Sequence, residues 1–294
     1  MNNHASPVIF GEVLFDCFPD GSRILGGAPF NVAWHCQAFG LNPLFISRVG
    51  NDELGREIFS AMQDWGMDPQ GLQIDTQHKT GIVDVTFKDG EPSYNIVKNS
   101  AWDFIDFNDI PEIQEHSLLY HGSLALRNTV SEQSLAQLKQ AYDDSIFVDI
   151  NLRPPWWNLQ EIKNILNNTH WVKLNQDELS LLVSEEKDVI MQARYLLHHY
   201  KPNLVVVTRG EAGAIAVTAM ETYSIEPESA ISVIDTVGAG DAFASVLLLG
   251  LHKVWPLQKI LSRAQKFASS VVGLRGATTQ DKNFYQPFIN DWSL

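Results

Sequence analysis

Residues 235–244, Asp-Thr-Val-Gly-Ala-Gly-Asp-Ala-Phe-Ala, set three small residues directly ahead of a carboxylate at the start of a largely apolar run. A helix that begins near Gly240 leaves its first amides without intrahelical partners, and small residues let an anionic oxygen approach them closely. Gly238, Ala239 and Gly240 could therefore form an anion hole. Asp241, beside it, could accept a hydroxyl proton while the amides hold a phosphoryl group in transfer. The competing reading is a turn followed by a capping Asp. It is weakened by the setting, because the helix behind, AFASVLLLGL, and the preceding ISVI, read as a buried strand, are both apolar.

GAGDAFA also approaches the GxGxxG/A dinucleotide fingerprint, which expects an acidic residue about 20 positions on. From Ala242 to Gln280 there is no Asp or Glu. That stretch instead carries Lys253, Lys259, Arg263, Lys266 and Arg275, a basicity that suits a polyphosphate nearby, although solvated helix faces account for it more simply. No GxxxxGK[ST] or HExxH spacing occurs, and His198 and His199 fit a helix surface.

The elements that position this turn alternate along the chain. PVIFGEVLFDCF reads as a buried first strand ending at Asp16, and GGAPFNVAWHCQAFG as a helix with Pro29 in its first turn and Gly40 past its end. LFISRVG is a strand. Leu54, Ile58, Met62 and Trp65 recur at helical spacing, with Gly66 as the stop. Val83, Val85 and Phe87 alternate, turn near Asp89 and Gly90 and return through Tyr94 and Ile96, which predicts a hairpin inserted at about residues 82–97. This is the candidate lid, joined by parts of 12–25. Its edge could pair with a second copy in a homodimer. Strand-helix units then resume, with a capping box expected from Thr129 and Glu132.

Such alternation predicts an α/β fold, a single domain over 1–294 with a mostly parallel sheet covered on both faces. Ligands then sit beyond the carboxyl ends of the strands. Asp16, Asn151 with Arg153, Asn175 with Glu178, Thr208 with Gly210, and DTVGAGD all fall at that edge.

The chain has 294 residues, 45% of them hydrophobic, and a formal charge of −14 from 35 acidic against 21 basic residues. That balance argues against a nucleic-acid or anionic-membrane partner and for a small substrate. Two distant cysteines, Cys17 and Cys36, indicate neither a disulfide framework nor a thiolate metal site. No signal-like start or membrane-spanning run is evident, which points to a cytoplasmic protein.

GGAPFNVAWHCQAFGLNPLFISRVGNDELG and DTVGAGDAF resemble the paired signatures of the ribokinase-type carbohydrate kinases, the phosphofructokinase-B family. LNQDE resembles its Asn-x-x-Glu motif and VVVTRGEAG its nucleotide-binding strand and turn, so the likeness spans essentially the whole chain. It implies a ribokinase-like three-layer sandwich with a small β lid. It also implies Asp241 as the base, with Asp16, Gly27 and Asn31 on sugar hydroxyls. Asn175 and Glu178 would organise phosphate and magnesium, largely through water. Thr208, Gly210 and Gly213 would line the ATP site, and a monovalent cation such as K+ would sit near Asp235. HGSLALR, DINLRPPWW and GEVLFD look like fructokinase segments, which implies fructose as acceptor at its 6-hydroxyl, Arg153 reaching phosphate or sugar, and Trp102 either stacking on the sugar or lying in the core. Three alternatives stand beside this: a kinase of a sugar acid, ribose, nucleoside or sugar phosphate, the last needing a basic cluster from Arg23, Lys98 and Arg127; a nicotinamide oxidoreductase; and a non-catalytic regulatory homologue.

Overall fold

Short runs of Val, Ile, Leu and Phe form strands buried on both faces, as a sheet covered by helices on each side requires. The computed structural model describes residues 5–88, 91–113, 117–140, 145–227 and 233–294. In chain order the strands are β1 (Val8–Phe10), β2 (Leu14–Cys17), β3 (Arg23–Gly26), β4 (Leu44–Gly50), β5 (Leu72–Asp75), β6 (Gly81–Lys88), β7 (Glu91–Ile96), β8 (Leu119–Gly122), β9 (Ile146–Asp149), β10 (Trp171–Asn175), β11 (Leu204–Thr208), β12 (Ala214–Val217) and β13 (Thr222–Ile225). The helices are α1 (Ala28–Ala38), α2 (Glu53–Trp65), α3 (Thr129–Lys139), α4 (Leu159–Leu166), α5 (Gln176–Leu182), α6 (Val189–Tyr200), α7 (Ala239–His252), α8 (Leu257–Val271) and α9 (Lys282–Trp292).

Among the described residues the large sheet runs β13-β12-β11-β10-β9-β8-β1-β4-β5. Every pairing from β11 through β5 is parallel, and β12 and β13 are antiparallel. Alternate side chains of each strand point to opposite faces. Ile9, Phe45, Phe147 and Val206 meet α1, α2, α7, α8 and α9, while Val148, Val172, Leu174 and Val207 meet α4, α5 and α6. α3 packs under β1 and β8 on that second face. The result is the expected three-layer α/β sandwich. The described part of the chain has no helix long and apolar enough to cross a membrane.

A second sheet, β3-β2-β6-β7, carries the expected hairpin. Its turn at Asp89 and Gly90 lies outside the described residues. The expected single first strand is corrected here. PVIFGEVLFDCF divides into β1, which enters the large sheet, and β2, which leaves it to pair with β3 and β6. Glu12, buried in the connection between them, breaks the apolar run at that point.

Two other local expectations are replaced. The Thr129–Glu132 capping box does not form, because Asn128, one residue earlier, takes the cap and its side chain accepts the Val130 amide at 3.0 Å. Ahead of the glycine turn, Val233 and Ile234 lie in an exposed stretch rather than a buried strand, and Ile231 and Ser232 are outside the described residues. Ile234 and Asp235 donate instead to the Val272 carbonyl at the end of α8.

The small sheet is tied to the main body through Asp52. Its carboxylate caps α2 by accepting the Gly55 amide at 2.8 Å, and it accepts the Thr80 amide at 2.9 Å and the Thr80 hydroxyl at 2.7 Å just before β6. Asp52→Ala removes the cap and leaves a buried threonine unsatisfied, so urea melts are expected to show a loss of about 2 kcal/mol or more.

Candidate active site

α7 is buried continuously from Ala242 to Gly250, because it lies between α1 and α8 rather than on the surface. Asp or Asn side chains cap α2, α3, α4, α5, α6 and α9, but none caps α7. Its N-cap, Gly238, has φ 79°, and a Cβ there would overlap Ala277. Only glycine fits both conditions.

The Ala277 segment is held from α1. His35 donates from Nε2 to the Ala277 carbonyl at 3.1 Å and accepts the Tyr285 hydroxyl at Nδ1, 3.0 Å away. Burial pushes the imidazole down to about 3, so it is neutral and this tautomer satisfies both contacts. Asp235 completes the clamp, accepting the Val237 amide at 3.0 Å and the Gly276 amide at 3.1 Å. Of the three residues expected in the anion hole, Ala239 has an amide that also makes a long 3.4 Å bond to Thr236.

The α7 tip opens on a cavity of about 750 Å³. Thr208, Gly210 and Gly213, from the β11–β12 turn, line it together with Ala239 and Gly240, as the motif resemblance implies. Phe243, Gln265, Ala268 and Ser269 line it as well, and these were not anticipated; the small residues of KFASSVV on α8 are the signal that could have found them. The five basic residues after Ala242 do not line the cavity. Lys253, Lys259, Lys266 and Arg275 are exposed, as the solvated-face reading has it, whereas Arg263 is partly buried, its guanidinium 4.1 Å from the Trp255 ring centroid and 5.3 Å from that of Trp292.

On the other side of the same tip, Asn31 Nδ2 donates to Asp241 Oδ2 at 2.8 Å. Asp16 Oδ2 and Asn31 Oδ1 stand 3.9 and 4.0 Å from where a Cβ on Gly26 would be. Gly27 has φ 108°, and a Cβ there would press on the Glu12 carbonyl at 2.6 Å. Asp16, Gly27, Asn31 and Asp241 are thus brought together. Asn31 Oδ1 is buried without a hydrogen-bond donor, the condition a ligand hydroxyl would relieve. Burial pushes the Asp16 carboxyl up to about 6 and raises Asp241, which the Asn31 bond, Lys173 and Arg153 pull back. Arg153 is exposed on the loop after β9, close enough for its charge to act on Asp241 and Glu12.

Trp102 does not join this group. It is fully buried among Val8, Phe10 and Ile46, with the Arg127 guanidinium 4.1 Å from its ring centroid, so the core reading replaces the sugar-stacking one.

Asn175 and Glu178 form a reciprocal cap. Asn175 Oδ1 accepts the Glu178 amide, and Glu178 Oε2 accepts the Asn175 amide, both at 2.8 Å. Glu178 Oε1 accepts the Leu152 amide at 3.0 Å, which pins the Arg153 loop to α5. Burial raises this carboxyl. Each Glu178 oxygen keeps a lone pair for water. The described residues contain no group of three His, Cys, Asp or Glu placed to hold a metal ion. Neither Asn175 nor Glu178 lines the cavity at the α7 tip.

Residues 18–283 match the pfkB family of carbohydrate kinases. A fructokinase of Salmonella typhimurium is 30% identical over 92% of this chain and 94% of its own length. A fructokinase of Klebsiella pneumoniae is 31% identical over 83% of each chain. The structure of a Vibrio cholerae fructokinase with fructose, ADP and calcium superimposes with a TM-score of 0.81 at 27% identity, over 97% of this chain and 99% of that one.

Glu12, absent from the residues singled out in the sequence, is 2% exposed, and its Oε2 has no hydrogen-bond partner. Burial, reinforced by the Asp241 charge, pushes it up to about 7 from 4.5. The unfolded chain therefore releases this proton at lower pH than the folded one. The folded state loses stability as pH rises from 4.5 to about 7, and Glu12 adds no further loss above that. Glu12→Gln removes the effect. Denaturant melts are expected to show the variant gaining about 2 kcal/mol on the parent between pH ~5 and pH ~8; parallel pH dependences would contradict it.

Proposed function

The chain belongs to the pfkB family of carbohydrate kinases, and from that premise we propose that it transfers the terminal phosphate of ATP to the 6-hydroxyl of fructose. The observation that carries this reading is the placement of Asp241. Its neighbours Ala239 and Gly240 line the cavity, while its own carboxylate is bonded to Asn31 on the side of Asp16. A phosphate donor and a hydroxyl acceptor can then meet at one helix tip.

In this reading ATP enters the cavity beside Thr208, Gly210 and Gly213. Its terminal phosphate faces the Gly240 amide, whose position in the first turn leaves it without an intrahelical acceptor. Asp16 and Asn31 hold the sugar so that its primary hydroxyl points at Asp241. The hydroxyl oxygen bonds to the terminal phosphorus as the bond to ADP breaks, and Asp241 takes the proton. A loose transition state asks chiefly for alignment and charge stabilisation, so a modest carboxylate suffices. Arg153 reaches the transferred phosphate. Magnesium carried on the nucleotide would neutralise its phosphate oxygens, with Glu178 meeting it through water. A monovalent cation is proposed at the loop pair that Asp235 ties together. The β2-β3-β6-β7 sheet, which carries Asp16, closes as a lid and keeps water from replacing the sugar. β3 and β7 are its two edges, where a second copy could add.

The fructokinase relatives support fructose as the acceptor. The side chains themselves disfavour a sugar phosphate: Arg23 is held by Glu57 and Glu53, Arg127 by Asp103 at 2.7 Å, and Lys98 lies over Trp156 at 5.0 Å. Of the three, Arg127 is buried in its pair and so is not offered to a substrate.

Coupled ADP release across a panel of sugars, sugar acids, nucleosides and sugar phosphates tests the acceptor, with activity expected on fructose above all others. Asp241→Asn is expected to lower kcat by roughly 10²–10⁴-fold with nucleotide affinity retained; turnover at the parent rate would refute the base assignment.

A further inference from the structure

β9 and β10 run in parallel with Asp149 opposite Lys173. Both side chains point to the α7 face of the sheet, where the neighbouring residues are Phe147, Val206 and Tyr120. Lys173 is 5% exposed and Asp149 6%. The ammonium lies 2.8 Å from each Asp149 oxygen, and the Tyr120 hydroxyl donates to Asp149 Oδ2 at 3.3 Å. A buried ion pair adds little net stability compared with apolar side chains of similar volume, so packing alone does not account for this one. Its position does: a Cβ on Gly240 would stand 3.6 Å from Lys173 Nζ. The cation sits against the first turn of α7, directly behind the anion hole.

We infer that Lys173 is a positioning residue of the transfer site, its ammonium fixed by Asp149 so that it adds positive charge to the α7 tip and balances the carboxylate of Asp241. Asn31 from α1, Lys173 from β10 and Arg153 from the loop after β9 favour the ionised Asp241, against burial. Glu12 from the β1–β2 connection, Tyr120 from β8 and Asp149 from β9 couple to Asp241 as well. Of the two cations, Arg153 is exposed and screened by solvent, whereas Lys173 is buried and screened much less, its field at Asp241 reduced by its partner Asp149. During transfer Lys173 steadies the charge that moves through Asp241 and the phosphoryl oxygens.

The inference rests on Asp241 as the base, and its test separates the two. The Asp241 carboxyl is titrated by ¹³C NMR in protein labelled at aspartate, its signal identified by its loss in Asp241→Asn. Lys173→Gln, which can still donate to Asp149, is expected to raise the midpoint by about one pH unit. Lys173→Arg should leave it in place. Asp149→Asn, which keeps the ammonium and removes its negative partner, should lower it. With the best acceptor from the sugar panel, kcat should fall about tenfold or more in Lys173→Gln and recover in Lys173→Arg. A purely structural pair would lower the melting temperature in both single variants without moving the midpoint in opposite directions. Asp149→Asn carries the test if Lys173→Gln does not fold. An unmoved midpoint in either folded variant overturns the inference, while full turnover in Asp241→Asn overturns the base assignment instead.

Discussion

A single hydrogen bond, from Asn31 on α1 to Asp241 on α7, joins residues 210 positions apart and sets the geometry on which the site depends. Both helices begin at a glycine with positive φ and without a side-chain cap, Gly27 at 108° and Gly238 at 79°. Both are buried along most of their length. Their first turns converge, so the two helix starts and one carboxylate share a small volume at the carboxyl edge of the sheet. The surrounding structure maintains that convergence. His35 holds Ala277 against Gly238, Asp235 fastens Gly276, and the Asn175–Glu178 cap secures the loop that carries Arg153. The first two contacts fix the start of α7 and so where Asp241 stands, and the third fixes the loop of Arg153.

The same region concentrates buried titratable groups that a fold built for stability alone would avoid. Glu12, Asp149 and Asp241 are raised by burial, and Lys173 lies among them. Unpaired or imperfectly paired charge in a low-dielectric setting costs stability. It also makes each remaining charge act strongly on its neighbours, which suits a site where a proton and a phosphoryl group move together. The two sheets divide the work. The large sheet fixes the cavity and the charges beneath α7, while the small sheet brings Asp16 to the side where the proposed acceptor would lie.

Much of this was legible in the residues because it is encoded locally. The glycine turn, the start and stop of α1, the stripe of α2 and the hairpin all rest on short-range patterns, and each stands where its pattern places it. What escaped depends on long-range partners. The division of β1 from β2 follows from which strands they join, and only the charge of Glu12 within an apolar run hinted at it. Asn128 and Thr129 are adjacent cap formers, and local chemistry does not choose between them. Trp102 offers the same apolar ring to a sugar or to a core, and the packing of Arg127 and Phe10 decides. Lys173 in WVKLN and Asp149 in FVDI each break an apolar strand, but their meaning appears only when the register sets them opposite one another.

The central claim is that the α7 tip receives the phosphate while Asp241 receives the proton. A crystal structure with fructose, magnesium and a non-hydrolysable ATP analogue tests it most directly. The account predicts the terminal phosphate within hydrogen-bond distance of the Gly240 amide and a primary sugar hydroxyl within hydrogen-bond distance of Asp241, in line with the phosphorus. A terminal phosphate bound away from α7, or an Asp241 carboxylate turned to bulk water with the sugar in place, would contradict it.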